Sequence, residues 1–220
     1  MSESVSFAHG LNFYKLYWVF VIGCFLGVVI ETLWCVVRYH KLESRKGLIY
    51  GPFNLVYGFG ALVMTIGLYP LRDKRDLFSF ALGTVIGGAY EYICSFIQEK
   101  LVGTISWDYR NFPLNLHGRI NLLYCFFWGI LALLWERDLF PHMSGLIERI
   151  PNTTGIVLTW IGVVFFILDS ILSACVVHRT NERRKGNAAT RPFLRWLDRH
   201  YPDRIVDIIY PNMRFYSKEE

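Results

Sequence analysis

Residues 23–31 carry the sequence Gly23-Cys-Phe-Leu-Gly27-Val-Val-Ile-Glu31, in which two glycines and an acid are spaced four apart. The pattern returns in residues 83–91 as Gly83-Thr-Val-Ile-Gly87-Gly-Ala-Tyr-Glu91. Residues four apart lie on one face of a helix, so the glycines and the carboxylate share a stripe. Small residues at this spacing let another helix approach closely within a bilayer. The two stretches therefore predict closely packed membrane helices, with Gly23, Gly27, Gly83 and Gly87 at the contacts.

The acid in each stripe has two interpretations. A carboxylate inside a membrane commonly marks a functional site. The alternative is a packing face whose Glu only hydrogen-bonds a neighbouring helix. Two copies at matching positions, Glu31 and Glu91, favour a shared polar centre.

The composition is that of a multi-span membrane protein. The 220 residues are 53% hydrophobic and 17% aromatic, only 19% are charged, and the mean hydropathy is +0.30. These values exclude an ordinary soluble domain of this size. The five cysteines all lie in apolar runs without a C-x-x-C pair, which predicts neither a disulfide set nor a metal site. The sequence does not identify a cofactor, and it has no G-x-x-x-x-G-K-[ST] loop for ATP.

Five apolar runs are each near the roughly 17–25 residues that a bilayer requires of a helix. We expect spans at residues 16–37, 53–71, 77–97, 120–135 and 155–177. The fifth run carries Asp169 where the first and third carry Glu.

The similarity between the first and third runs continues into the loops that follow them. Gly51-Pro52-Phe53-Asn54 comes after Glu31, and Phe112-Pro113-Leu114-Asn115 comes after Glu91. We therefore predict an all-α membrane domain over residues 1–178, built as two parallel helical-hairpin repeats plus one odd helix. A basic amphipathic tail, residues 179–220, would follow it in the cytoplasm.

Orientation follows from the positive-inside rule. The loops on the two sides are nearly balanced in Lys and Arg, and the basic tail decides in favour of a cytoplasmic C-terminus and an external N-terminus. The three acids then lie at similar depth, roughly 10–15 Å from the cytoplasmic end of their helices. We expect Glu31, Glu91 and Asp169 to converge on one cytoplasm-facing cavity, with Asn54, Asn115 and Arg119 at its mouth.

Arg119 opens the fourth run on the side where the acids lie. Its side chain could extend outward to the lipid headgroups or turn inward to pair with a carboxylate, and pairing is favoured. The tail is expected to lie on anionic lipid, with residues 192–197 as an interfacial helix. No recognition motif accompanies its charge, so nucleic acid is not an expected partner. Much of the excess positive charge lies in the tail residues Arg179, Arg183, Arg184, Lys185, Arg191, Arg195 and Arg199.

Several short motifs together resemble the ABC-transporter permease family of type IV, also called CmpB-like. The resemblance covers roughly residues 15–140 and implies a multi-pass protein of the bacterial plasma membrane. It also adds Trp107, Asp108 and Tyr109 to the site candidates. The motifs are Gly27…Glu31, Gly47-Leu-Ile-Tyr50-Gly51-Pro52, Tyr57-Gly-Phe-Gly60, Trp107-Asp108-Tyr109, Pro113…Asn115 and Gly118-Arg119-Ile120.

Three functions are compatible with these features. The first is a transport component whose acids bind a cation or relay protons, energised by a partner such as an ATPase or assembled as a homo-oligomer. The second is a membrane-embedded enzyme acting on a lipid or prenyl chain, with Glu31 or Glu91 as general base. The third is a non-catalytic subunit. Transport is preferred, and an enzyme is the less favoured interpretation.

Overall fold

The computed structural model describes residues 5–71 and 75–215 and is 71% helical. The helices are α1 (Phe13–Tyr39), α2 (Leu55–Leu68), α3 (Asp76–Ile97), α4 (Leu122–Leu134), α5 (Phe140–Glu148), α6 (Asn152–Arg184), α7 (Pro192–His200) and α8 (Asp203–Ile209). A 3₁₀ turn, Tyr69–Leu71, extends α2, and π-helical turns follow α3 (Gln98–Val102) and α4 (Trp135–Leu139).

Two short antiparallel strand pairs correct the all-helical expectation. Strand β1 (Thr104–Ile105) pairs with β4 (Arg214–Phe215), and β2 (Asn115–Leu116) pairs with β3 (Ile120–Asn121). The first pair joins the end of the tail to the loop after α3. The second makes a tight hairpin just before α4.

Among the described residues, three helices are long and apolar enough to cross a membrane. They are Phe13–Tyr39, Asp76–Leu101 and Asn152–Arg184. The helices at the second and fourth predicted spans are shorter: the apolar segment Leu55–Leu71 has fewer than 18 residues, and α4 has 13. The first, third and fifth predicted spans therefore coincide with helices long enough to cross a membrane.

The glycine stripes lie at the contacts within two helical hairpins, α1 with α2 and α3 with α4. A Cβ atom added at Gly23 would lie 2.7 Å from the Cβ of Ala61, and one at Gly27 would overlap the Tyr57 ring. In the second hairpin, a Cβ at Gly83 would overlap Ala132, and one at Gly87 would overlap the Trp128 ring. In both hairpins a residue of the partner helix occupies the space that a larger side chain would take at the glycine.

Asparagine side chains begin the second helix of each hairpin. The Asn54 carboxamide accepts from the Val56 N–H at 3.1 Å and caps α2. The Asn121 carboxamide accepts from the Leu123 N–H at 2.8 Å and caps α4. In the sequence, the loop after Glu91 places Asn115 where the loop after Glu31 has Asn54. In the structure, however, Asn115 lies in β2 and does not cap a helix. The reason is the β2–β3 hairpin, which places extra residues before α4.

An ion pair between a buried lysine and an exposed glutamate joins α1 to α5. The Lys15 side chain is fully buried, and its Nζ lies 2.5 Å from Glu148 Oε1 and 3.2 Å from the Ser144 carbonyl oxygen. Lys15 holds the pKa of Glu148 below its usual value. On another face of α1, the Trp18 indole N–H donates to Thr159 Oγ1 at 3.0 Å and ties α1 to α6. Polar contacts thus dock the fifth and sixth helices on the first.

The tail folds back on α6, which continues without a break to Arg184. The Arg179 guanidinium binds the Asp198 carboxylate through Nε at 2.9 Å and Nη2 at 2.8 Å, and Arg183 binds Asp198 at 2.6 Å. These two arginines hold the pKa of Asp198 below its usual value. Further pairs are Arg183 with Asp203, Arg184 with Asp207 and Lys185 with Glu182.

These ion pairs correct one expectation from the sequence. Arg179, Arg183, Arg184 and Lys185 were assigned to lipid headgroups, but all four have carboxylate partners within the protein. Spacing along the chain could not show this, because the acids that pair with the first three lie 15–23 residues further on and come close only when α7 and α8 fold back.

Candidate functional site

Glu31 lies one turn after Gly27 on α1 and faces α2. The Tyr57 hydroxyl donates a hydrogen bond to Glu31 Oε1, and Arg45 Nη1 lies 3.9 Å from Oε2. Because Gly27 has no side chain, the Tyr57 ring fits against α1 and its hydroxyl reaches the acid. The carboxylate therefore has one neutral donor and one more distant cation.

Glu91 occupies the corresponding place on α3. The Tyr109 hydroxyl donates to Oε1 at 2.7 Å, and the Trp128 indole N–H donates to Oε2 at 3.0 Å. The Trp128 ring lies over Gly87, as the Tyr57 ring lies over Gly27. Within residues 5–71 and 75–215, no Lys or Arg forms an ion pair with Glu91. Its charge is met by neutral donors.

Tyr109 binds Glu91 and lies near enough to Glu31 to feel its charge. It interacts electrostatically with Glu31 and with Tyr57 as well as with Glu91. Burial, followed by the charge of Glu91, raises the pKa of Tyr109, so its hydroxyl stays protonated and acts as a donor. Its ring stacks on Tyr124, with ring centroids 4.7 Å apart. Glu31, Tyr57, Glu91, Tyr109 and Trp128 are called the carboxylate–tyrosine cluster below.

The two hairpins also contact each other directly beside this cluster. The Tyr90 hydroxyl on α3 donates to the Val56 carbonyl oxygen on α2 at 2.5 Å. Thr65 on α2 accepts the Trp135 indole N–H at 3.1 Å, just beyond the end of α4. These bonds fix the position of one hairpin against the other.

Asp169 belongs to a different polar group. Its carboxylate accepts from the Tyr50 N–H at 3.2 Å and from Ser173 Oγ at 3.4 Å. The Tyr50 hydroxyl in turn lies 2.9 Å from the Tyr201 hydroxyl in the tail. The loop of residues 45–54 thus contacts Glu31 through Arg45 and Asp169 through Tyr50. Glu31 and Glu91 each accept a tyrosine hydroxyl, whereas Asp169 binds the backbone of this loop and a serine.

Arg119 turns inward, and the carboxylate beside it is Glu99. Its Nη2 binds Glu99 Oε2, its Nη1 lies 3.3 Å from Ser95 Oγ, and its guanidinium lies 5.5 Å from the Phe96 ring centroid. Glu99 was not singled out in the sequence because it follows the apolar run, in the π-helical turn. Arg119 therefore braces the loop after α3 against the end of that helix.

We expect Arg119→Ala to destabilise the protein strongly, because Glu99, whose side chain is only 16% exposed, loses its closest cation and keeps only the exposed Lys100 at 4.0 Å. Breaking a buried pair from one side costs about 3–5 kcal/mol. Arg110→Ala is the matched control, since its pair with Asp108 is 63% exposed on the arginine side and should change stability by less than about 0.5 kcal/mol. Thermal unfolding in detergent measures both. Equal shifts in the two variants would contradict the bracing role.

The remaining predicted site residues hydrogen-bond within the loops. Their side chains hold the loops in shape, and so hold Arg45 and Tyr109 toward the acids. The bonds are Asn54 Nδ2 to the Arg45 carbonyl (3.1 Å), Asn115 Nδ2 to the Phe112 carbonyl (2.8 Å), Trp107 Nε1 to the Arg119 carbonyl (3.1 Å) and the Arg110 N–H to Asp108 Oδ1 (3.0 Å).

Two residues of the cluster were missed in the sequence. Tyr57 lies in the quoted family motifs but was not predicted as a site residue, and neither was Trp128. A signal was present, because each precedes a glycine at the contact with the other helix: Tyr57-Gly58 and Trp128-Gly129. An aromatic–glycine pair on the second helix of each hairpin matches the glycine stripe on the first.

Comparison with known proteins gives one match. A family model described as "Putative ABC-transporter type IV" matches residues 18–174. Comparisons with curated proteins and with solved structures each found no match. The matched region contains the whole carboxylate–tyrosine cluster and ends within α6, before the tail. Because the model matches well over half of the chain, this protein belongs to the "Putative ABC-transporter type IV" family.

Proposed function

We propose that the chain is a transport component of the bacterial plasma membrane in which the carboxylate–tyrosine cluster binds a proton or a small cation. The family supports a membrane transport role. The observation that carries the proposal is that two acids, at matching places in two hairpins, each accept a hydrogen bond from a tyrosine hydroxyl.

The chemistry of the cluster suits a positively charged ligand. Carboxylate and hydroxyl oxygens are the ligands that protons and hard cations prefer. A carboxylate at membrane depth is costly unless its charge is met. Glu91 has two neutral donors, so a proton or cation would supply the missing charge, whereas Glu31 already has Arg45 nearby. Because the two acids differ in their surroundings, they would bind a proton or cation with different strength, which suits its binding at one acid and release from the other.

The proposed architecture has five spans, with α2 and α4 crossing as the shorter partners of α1 and α3. The matching contacts of Gly27 with Tyr57 and of Gly87 with Trp128 support two copies of one hairpin. The N-terminus would be external and the C-terminus cytoplasmic, with the acids toward the cytoplasmic side. Reporter fusions at the two ends test this; finding both ends on one side would exclude an odd number of spans.

Energy for uphill transport would come from a partner. The sequence has no nucleotide-binding loop of the G-x-x-x-x-G-K-[ST] type. A separate ATPase subunit, or assembly of several copies around one pathway, would complete the transporter.

A flux assay tests the proposal. The purified chain is placed in liposomes that contain a pH-sensitive dye, and a valinomycin–potassium potential drives protons inward; a second series imposes a sodium gradient. We expect uptake of one ion above that of protein-free vesicles. Absence of flux for either ion, both alone and with a co-purified ATPase, would remove the transport role, and turnover of a lipid extract would instead indicate an enzyme.

A non-catalytic membrane subunit is the second candidate, and one observation favours it. Each acid is bonded to the second helix of its own hairpin, Glu31 to Tyr57 and Glu91 to Trp128, as expected of groups that only hold helices together. The isosteric variants described in the Discussion separate this role from transport.

A further inference from the structure

The outer side of α7 carries aromatic and basic residues next to each other. Leu197 is buried against α6, whereas Phe193 (52%) and Trp196 (42%) are exposed, and their rings stack with centroids 6.1 Å apart. Three arginines are exposed beside them, spaced four apart. The α7 outer face is defined as Arg191, Phe193, Arg195, Trp196 and Arg199.

Packing against the end of α6 determines where α7 lies relative to the membrane. Leu197 and Tyr201 belong to one buried cluster with Val176 and Val177, the last apolar residues of α6, and Leu172 packs on the same cluster. The Tyr201 hydroxyl also reaches Tyr50, whose N–H binds Asp169 within α6. Helix α7 therefore lies beside the final turns of a membrane-crossing helix, at the boundary where tryptophans of membrane proteins concentrate.

The arginines of this face differ from the other basic residues of the tail. Arg179 and Arg183 are bound to Asp198, which holds α7 in place from its inner side. No described carboxylate forms an ion pair with Arg191, Arg195 or Arg199. A fixed helix at the membrane boundary thus presents three unneutralised guanidinium groups beside two exposed aromatic rings.

We propose that the α7 outer face binds anionic phospholipid in the adjoining leaflet. Phe193 and Trp196 would enter the interfacial region, and the three arginines would bind lipid phosphates, for which the planar guanidinium is well suited. Charge complementarity selects this occupant, because each Lys or Arg near an anionic surface contributes attraction that a zwitterionic surface does not supply. The surface is independent of the carboxylate–tyrosine cluster.

Quenching by brominated lipid tests this with the full chain in nanodiscs. The tryptophan emission that Trp196 contributes is obtained by subtracting the signal of Trp196→Phe. We expect brominated phosphatidylglycerol in a phosphatidylcholine host to quench it at least about twofold more than brominated phosphatidylcholine does. The triple variant Arg191→Gln, Arg195→Gln, Arg199→Gln should make the two lipids equal, and the corresponding triple Lys variant should keep the preference.

The variant Arg38→Gln, Lys41→Gln, Lys100→Gln is the matched control, since it removes the same charge at other exposed positions and should leave the preference intact. Equal quenching of the unmodified protein by both lipids would overturn the proposal. So would a Trp196 signal that neither lipid reaches, which would mean that a second copy or another subunit covers this face.

Discussion

Glu31→Gln and Glu91→Gln are each expected to abolish ion flux while leaving the protein in the membrane at its usual level. Glutamine keeps the size of the side chain and loses the titratable charge. The Tyr109 hydroxyl can reverse its bond to accept from the new NH₂ group, while the remaining carbonyl oxygen still accepts from Trp128. The cluster therefore keeps its packing, and only the ability to hold a proton or cation is lost.

The expected loss of flux is roughly 100-fold or more, the scale found when a proton-transferring side chain is removed. Asp169→Asn is the internal comparison and should be milder, because Asp169 belongs to the Tyr50–Ser173 group and its bond from the Tyr50 N–H survives in asparagine. Flux and membrane abundance are measured together for the three variants.

The non-catalytic role predicts a different pattern for the same variants. If the acids only join helices, glutamine is tolerated, and only Glu31→Leu and Glu91→Leu lower abundance, because they leave Tyr57 or Trp128 without an acceptor. Full flux in the double variant Glu31→Gln, Glu91→Gln would exclude the carboxylate–tyrosine cluster as the ion site.

Gly27→Ala and Gly87→Ala are expected to damage both stability and flux. The added methyl group would overlap the base of the Tyr57 ring in the first case and of the Trp128 ring in the second, where neither side chain can swing away cheaply. Overpacking of this kind costs roughly 1–3 kcal/mol. The displaced ring also carries its hydrogen-bond donor away from the acid, so the surviving protein should be less active per molecule.

Gly145→Ala is the matched control for these variants. It lies in α5, where an added Cβ atom meets no described heavy atom within 4 Å. The substitution should be neutral or slightly stabilising, because alanine favours the helix by about 1 kcal/mol over glycine. Thermal unfolding and flux per reconstituted protein are the measurements. If Gly27→Ala behaved like Gly145→Ala, the close packing of α1 on α2 would not position Tyr57.

The sequence by itself determined the membrane class, the family and the helices that carry the acids. Apolar runs and glycine spacing act locally along a helix, so they place Glu31 on α1, Glu91 on α3 and Asp169 on α6 without knowledge of the rest. The interface aromatic Tyr109 was also included, through the resemblance to the family. The sequence also predicted that Arg119 pairs with a carboxylate. A cation at the start of an apolar run must either bind a carboxylate or extend to the lipid headgroups.

Only the tertiary structure decided which groups meet. Glu99 beside Arg119, Trp128 beside Glu91 and Asp198 beside Arg179 are partners that no spacing rule predicts, because each pair forms only when a loop, a second helix or the tail packs against a helix. The same holds for the different partners of Asp169, the Tyr50 N–H and Ser173. Depth along a helix follows from sequence position, but the direction in which a side chain points relative to other helices depends on how those helices pack.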